Sequence, residues 1–306
     1  LVANSIGLKK GDEVIISDKE HNSNLIPWLK LKKQIGINLV ICRSNSDNTF
    51  NIDNFEKCFT KKTKLVSIVH ISNIDGVENP IKDIAQIAHN NKTLLLIDGA
   101  QSAPHKKVNV KELDADFFAF SGHKMLGPTG TGVLYGRKKL LESMEQFIVG
   151  GETVLNSTYS DYIPENLPNK FEAGLSDYAG IIGLGEACRY LNKIGMKNIE
   201  AHEIKLNKLL TEMLKSEKRI ELIGPSDAEK RGGIFSFNIK NIDPHHISRI
   251  LSASRNIMLR SGAHCVHSWF NAHSMKGSAR VSLYLYNLES EVRIFAEEIK
   301  KLCKVI

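Results

Sequence analysis

Short β-rich runs alternate with helix-like segments through the first half of the chain, and this alternation restricts the fold more than any other feature. The β-rich runs cover residues 13–17, 39–42, 65–70, 93–98, 117–121 and 132–135, with helix-like segments at 24–34, 52–59 and 81–90. Parallel strands need a long crossover between them, so the pattern predicts βαβ units and a mainly parallel sheet flanked by helices, joined by right-handed connections. The run Thr93-Leu94-Leu95-Leu96-Ile97 is apolar without alternation, as a strand covered on both faces must be. Near residue 160 the pattern changes: residues 162–168 read as a loop and 179–194 as a helix. A helix to residue 215 follows, then strands near 220–223 and 233–239. Next come a helix from Pro244, strands near 257–260 and 279–282, and an amphipathic helix from Ser290. The expected organisation is a large α/β unit over residues 1–195 and a smaller α+β unit over 196–306.

Composition narrows the function classes. With 306 residues and 42% hydrophobic content the chain can bury a large core. Its net charge of +7 comes from lysines spread along helix-like segments, with no basic block interleaved with aromatics, so nucleic acid is not an expected partner. No apolar stretch approaches the roughly 18 residues needed to cross a bilayer. The opening Leu1-Val2-Ala3-Asn4-Ser5 lacks the basic and apolar regions of a signal peptide. The chain starts without methionine, on residues that read as a helix end stopped by Gly7, so it is expected to be a fragment. Cys42, Cys58, Cys188, Cys265 and Cys303 are odd in number and not closely paired, which fits neither a disulfide framework nor a zinc ribbon. His264, Cys265 and His267 lack a second ligand cluster, so no metal is expected, and a reducing cytoplasm is the expected compartment.

Lys124, in Phe120-Ser121-Gly122-His123-Lys124-Met125, follows a predicted strand and accompanies Asp98-Gly99-Ala100-Gln101 at the end of another. A lysine beside cationic or apolar groups has a lowered pKa, and its neutral amine condenses with carbonyls. An acidic side chain at a strand's C-terminal edge is placed to meet a ring nitrogen, since open α/β sheets bind ligands there. Together these residues point to an aldehyde cofactor, pyridoxal phosphate. The glycine run from Gly127 to Gly132 lacks the Gly-Lys-Ser/Thr ending of a phosphate loop and reads instead as turns into a strand.

Five motifs carry a resemblance: Ser121-Gly122-His123-Lys124, Asp98-Gly99-Ala100-Gln101, Glu20-His21-Asn22-Ser23-Asn24, Phe171-Glu172-Ala173-Gly174 and Arg260-Ser261-Gly262-Ala263-His264-Cys265. The set resembles the class V aminotransferase-like pyridoxal-phosphate enzymes, and within them the SufS-type cysteine desulfurase/selenocysteine lyase group. The resemblance runs nearly end to end. It implies the seven-stranded-type sheet of those transferases, with a small C-terminal domain carrying a catalytic cysteine loop.

It also implies roles. Lys124 would hold the cofactor covalently and move protons at the substrate carbon. Asp98 would pair with the pyridine nitrogen, Gln101 would sit near the phenolic oxygen and His21 would stack on the ring. Ser121 and His123 would hold phosphate oxygens. Asn73 would lie beside cofactor and substrate, and Arg280 would clamp the substrate carboxylate with Arg260 at the same entrance. Cys265 would take the sulfur of L-cysteine as a persulfide, leaving L-alanine, and the other four cysteines would be unreactive. The short distance from Cys265 to Arg280 favours the SufS-like over the NifS/IscS-like group and implies a sulfur-acceptor protein of the SufE/SufU or scaffold type. A homodimer supplying sulfur for iron–sulfur cluster assembly is the expected setting. The alternatives are a selenocysteine lyase, another class V lyase or epimerase, or a truncated non-catalytic dimer partner. Leu175 stands where the resemblance implies a phosphate-binding threonine, with Ser176 one residue away.

Overall fold

The computed structural model describes residues 1–305. Six strands form the first sheet: β1 (Glu13–Ser17), β2 (Asn38–Cys42), β3 (Thr63–Val69), β4 (Leu94–Asp98), β5 (Phe117–Ser121) and β6 (Gly132–Gly136). Their order is β2-β1-β3-β4-β5-β6, and every pair is parallel except β5 with β6. The sheet is mainly parallel as expected, with six strands among the described residues where the seven-stranded type was anticipated.

Helices α1 (Val2–Ser5), α2 (Asn22–Ile35), α3 (Ile52–Lys57) and α4 (Ile81–Asn90) accompany the sheet. Side chains alternate between its faces with the period of two that a strand imposes. Ile15, Val66, Leu95 and Ile97 pack with Phe55 of α3 and Ile84 of α4, whereas Val14, Ile16, Leu65 and Leu96 pack with Leu25, Trp28 and Leu31 of α2. Burial on both faces explains why the central strands β1, β3 and β4 read as apolar runs.

The chain continues through α5 (Lys138–Ser143), a hairpin of β7 (Val154–Ser157) and β8 (Tyr162–Pro164), α6 (Tyr178–Ile194) and α7 (Met196–Leu214). A second, antiparallel sheet contains β9 (Ile220–Ile223), β10 (Ile234–Ile239), β11 (Arg260–Gly262) and β12 (Ser278–Ser282), in the order β11-β12-β10-β9. Helices α8 (Pro244–Arg255), α9 (His267–Ala272) and α10 (Glu289–Val305) complete it. Phe235, Phe237 and Ala279 of this sheet pack on Leu206 and Leu210 of α7, Ile247 of α8 and Ile299 of α10. Among the described residues no helix is long and apolar enough to cross a membrane.

Two details differ from expectation. The segment read as a loop at 162–168 contributes β8, whose three residues are all exposed and so show no inward-outward alternation. The strand expected at 257–260 lies at Arg260–Gly262 because α8 ends in a left-handed Asn256, φ +55°, and the chain needs several residues to recover.

The turn after β3 reaches the second sheet. Ile74 accepts a hydrogen bond from Ser236 Oγ, and Gly76, φ +75°, passes so close to the Arg231 carbonyl that a Cβ there would lie 1.9 Å from its oxygen. Gly76→Ala is therefore expected to destabilise the fold by about 1–3 kcal/mol or more through overpacking and a disfavoured φ. Urea midpoints of the two proteins measure this; equal midpoints would show that the contact is soft.

Candidate active site

The polar ends of the first sheet converge at its C-terminal edge. Asp98 closes β4, level with Val69 of β3 and Ala119 of β5, and its Oδ1 accepts from Ala100 N at 2.9 Å. Two residues past Ala119 the chain leaves β5 at Ser121 and enters a 3-10 turn, Gly122–Met125, that presents His123 and Lys124. Backbone bonds from Gly122 N to Thr131 O at 2.9 Å and from Gly127 N to Gly122 O at 2.9 Å brace this turn against the start of β6.

On the other side, His21 caps α2, its Nδ1 accepting from Ser23 N at 3.1 Å. His21, Asn73, Asp98, Gln101, Ser121, His123 and Lys124 line one cavity of about 480 Å³. A larger cavity of about 990 Å³ shares Gln101, His123 and Lys124 and adds Arg280.

The second sheet supplies cations and a thiol. Arg260 of β11 lies directly opposite Arg280 of β12, and facing like charges are unfavourable unless an anion joins them. Arg280 Nη1 donates to the Asn73 carbonyl at 2.6 Å, and Asn73 Nδ2 donates to the His264 carbonyl at 2.8 Å. Cys265 follows in a turn with φ +49° at His264 and +60° at Cys265, and it is half-buried. All ten residues singled out from the sequence thus gather around one region, with Cys265, Arg260 and Arg280 close enough to act electrostatically on the large-sheet residues.

Burial dominates that electrostatics. It holds the Lys124 amine below the usual lysine value, with Arg280 adding to the effect and Asp98 and Cys265 opposing it. Burial, then the Lys124 charge, lowers His21. Burial and Arg260 push Arg280 down to about 10. A cavity with a depressed amine, a carboxylate at a strand end, an imidazole and a hydroxyl fits an aldehyde bearing a basic ring nitrogen and an anionic group, so pyridoxal phosphate suits the residues present.

Sequence reasoning assigned no role to several supporting residues. Glu20, 1% exposed, accepts from Val69 N at 3.0 Å, Asn24 Nδ2 at 2.7 Å and Ser17 Oγ, tying β1, β3 and α2 together beside His21. Lys19 and Asp75, both buried, pair at 2.9 Å and link the segments carrying His21 and Asn73. His264 is buried with Nε2 2.9 Å from Ser278 Oγ. Only its place in a motif beside Cys265 could have drawn attention to it.

Two of these groups respond to pH in opposite directions. Burial pushes Glu20 from 4.5 up to about 7, so the folded state holds a proton there that the unfolded chain has lost, and stability falls as pH rises through that interval. Burial pushes His264 from 6.5 down to about 3, so the unfolded chain binds the extra proton and stability falls as pH drops below 6.5. Between pH 4.5 and 6.5 the contributions oppose each other. Glu20→Gln is expected to unmask the His264 slope, with stability rising by up to about 1.4 kcal/mol per pH unit relative to wild type across that window. Urea unfolding at several pH values measures it; parallel profiles for the two proteins would refute it.

The model of the aminotransferase class-V family matches residues 1–295. A probable cysteine desulfurase of Halalkalibacterium halodurans is 43% identical over 304 residues, covering 98% of this chain and 74% of the relative. A cysteine desulfurase of Haloferax volcanii is 39% identical, covering 95% of this chain and 69% of its own. Among solved structures, the apo cysteine desulfurase of Thermococcus onnurineus has a TM-score of 0.95 at 36% identity, covering 100% of this chain and 76% of that one. A cysteine desulfurase of Escherichia coli in its S-sulfonic acid form has a TM-score of 0.94 at 30% identity, with the same coverage.

Proposed function

The chain belongs to the aminotransferase class-V family, and on that premise we propose that it is a pyridoxal-phosphate-dependent cysteine desulfurase that converts L-cysteine to L-alanine and takes the sulfur onto Cys265. The observation that carries this function is the convergence of a half-buried thiol, a facing arginine pair and a depressed lysine amine on one region. Relatives and solved structures named as cysteine desulfurases over nearly the whole chain support it.

Pyridoxal phosphate, when bound, supplies an electron sink that acidifies the substrate α-carbon. The protein's own groups would do the rest. Lys124 would meet the aldehyde, Asp98 the ring nitrogen, Gln101 the phenolic oxygen, His21 the ring face, and Ser121 with His123 the phosphate. Burial lowers the Lys124 amine and so favours the neutral form that would take and return a proton at the α-carbon. Because His21 Nδ1 accepts the Ser23 N–H, its neutral ring carries the proton on Nε2 and acts as a donor there.

Arg280 would fork onto the substrate carboxylate, with Arg260 beside it, and the bound anion would relieve the like-charge pairing. The Cys265 thiolate would then attack the substrate sulfur: an S–S bond forms, the Cβ–S bond breaks, and its electron pair stays with the carbon skeleton, which is protonated to alanine. One cysteine and one enzyme thiol become one alanine and one persulfide, so no external oxidant is required.

The finer setting belongs to the same proposal. Cys265 sits in a turn between β11 and the six-residue α9, with short reach, so an acceptor protein of the SufE/SufU or scaffold type would collect the sulfur for iron–sulfur cluster assembly in the cytoplasm. Ile148 and Val149, each 60% exposed, together with Leu155, Ile163 and Leu175 form apolar surface suited to a homodimer. Residues 1–195 would carry the cofactor and 196–306 the cysteine.

Borohydride reduction of the cofactor-loaded protein is expected to fix the pyridoxyl group on the Lys124 peptide, and Lys124→Ala to abolish both the adduct and alanine release. Cys265→Ser is expected to remove nearly all alanine release from L-cysteine; full retention would eliminate the persulfide step. Arg280→Lys, which loses the two-pronged contact, should raise KM for L-cysteine about 5- to 100-fold. An unchanged KM would place the carboxylate elsewhere.

A further inference from the structure

Cys265 is held from outside its own sheet. Its carbonyl accepts from the backbone amide of Asn22 at 2.7 Å, and Asn22 Nδ2 lies 3.1 Å from His267 Nδ1, two residues beyond the cysteine. Asn22 therefore grips the turn at two points, while Asn73 Nδ2 grips the preceding residue through the His264 carbonyl.

Both halves of this grip follow from local structure. Asn22 opens α2, and the first amides of a helix have no partner within it, so this N–H is available to another element. The same start of α2 makes His21 the cap and aims it at the cavity. One two-residue step thus places a ring over the cofactor space and an amide on the cysteine turn. The turn needs such restraint, because His264 and Cys265 are consecutive non-glycine residues with left-handed φ. That conformation persists only where the surroundings impose it. A thiol displaced by even about 1 Å from its line of attack transfers sulfur more slowly.

We propose that Asn22 is a positioning residue that, with His267, latches the Cys265 turn toward the substrate. This rests on the reading of Cys265 as the sulfur acceptor. The side-chain half of the latch is a single hydrogen bond between partly exposed groups. It is weak enough to open when the loaded thiol must face an acceptor.

The test uses Asn22→Ala, His267→Ala and the double variant. Three readouts apply: the rate at which iodoacetamide alkylates Cys265, followed by peptide mapping with and without cofactor; kcat and KM for L-cysteine; and the cofactor's visible absorbance. Each single variant is expected to speed alkylation and lower kcat by about three- to tenfold, the range of one net hydrogen bond, with KM and absorbance unchanged. The double variant should be no worse than either single one, since both remove the same contact. Unchanged alkylation rates, or effects that multiply in the double variant, overturn the latch. Retained L-cysteine turnover in Cys265→Ser would instead overturn the reading of Cys265 as the sulfur acceptor, so the two failures are separable.

Discussion

Parallel pairing of β4 with β5 holds the acid and the amine of this site in common register. Asp98 lies level with Ala119, and β5 continues only two residues before the turn that presents Lys124. Because parallel strands end at the same edge, their polar terminal residues emerge together, while Val66, Leu95 and Ile97, all fully buried, fix the pairing from within. A slip of one residue would turn every side chain of a strand to the opposite face, so the apolar layers enforce the geometry of the polar edge.

A second constraint joins the two sheets. The segment from Asn73 to Gly76 touches the antiparallel sheet through Ser236 and Arg280 and the turn before β10 through Arg231, while Lys19 and Asp75 pin it to the end of β1. The cofactor side and the thiol side are thereby joined through a few buried polar contacts. Burial is also the leading cause of the lowered values at Lys124, His21 and Arg280. A facing arginine pair beside a lysine amine and an imidazole in one partly dry region makes a place where an anionic, carbonyl-bearing ligand gains more than it would in water.

Most of the strands were legible because burial on both faces leaves an unmistakable apolar run, as at 93–98, and because helices such as Ile81–Asn90 carry a clear apolar stripe. Elements without that signature were missed. The exposed hairpin β7–β8 and the short α5, which buries no residue, are too solvated to show a period, and α9 buries only Trp269 and Phe270. At the site, residues with intrinsic chemistry stood out, namely Lys124, Asp98, His21 and Cys265. Those that work through position did not. Glu20 reads as an ordinary surface acid until β1, β3 and α2 close around it, and Asn22 reads as a helix-start residue until the second sheet supplies its partners.

The central claim is that sulfur passes from the substrate to one particular thiol. Mass spectrometry of the protein quenched during turnover with L-cysteine, followed by peptide mapping, tests it most directly. A gain of one sulfur atom on the peptide containing Cys265, removed by an added thiol in step with alanine already released, is the expected result. Alanine formed with that peptide unmodified throughout, or with the added sulfur on Cys42, Cys58, Cys188 or Cys303, would contradict it.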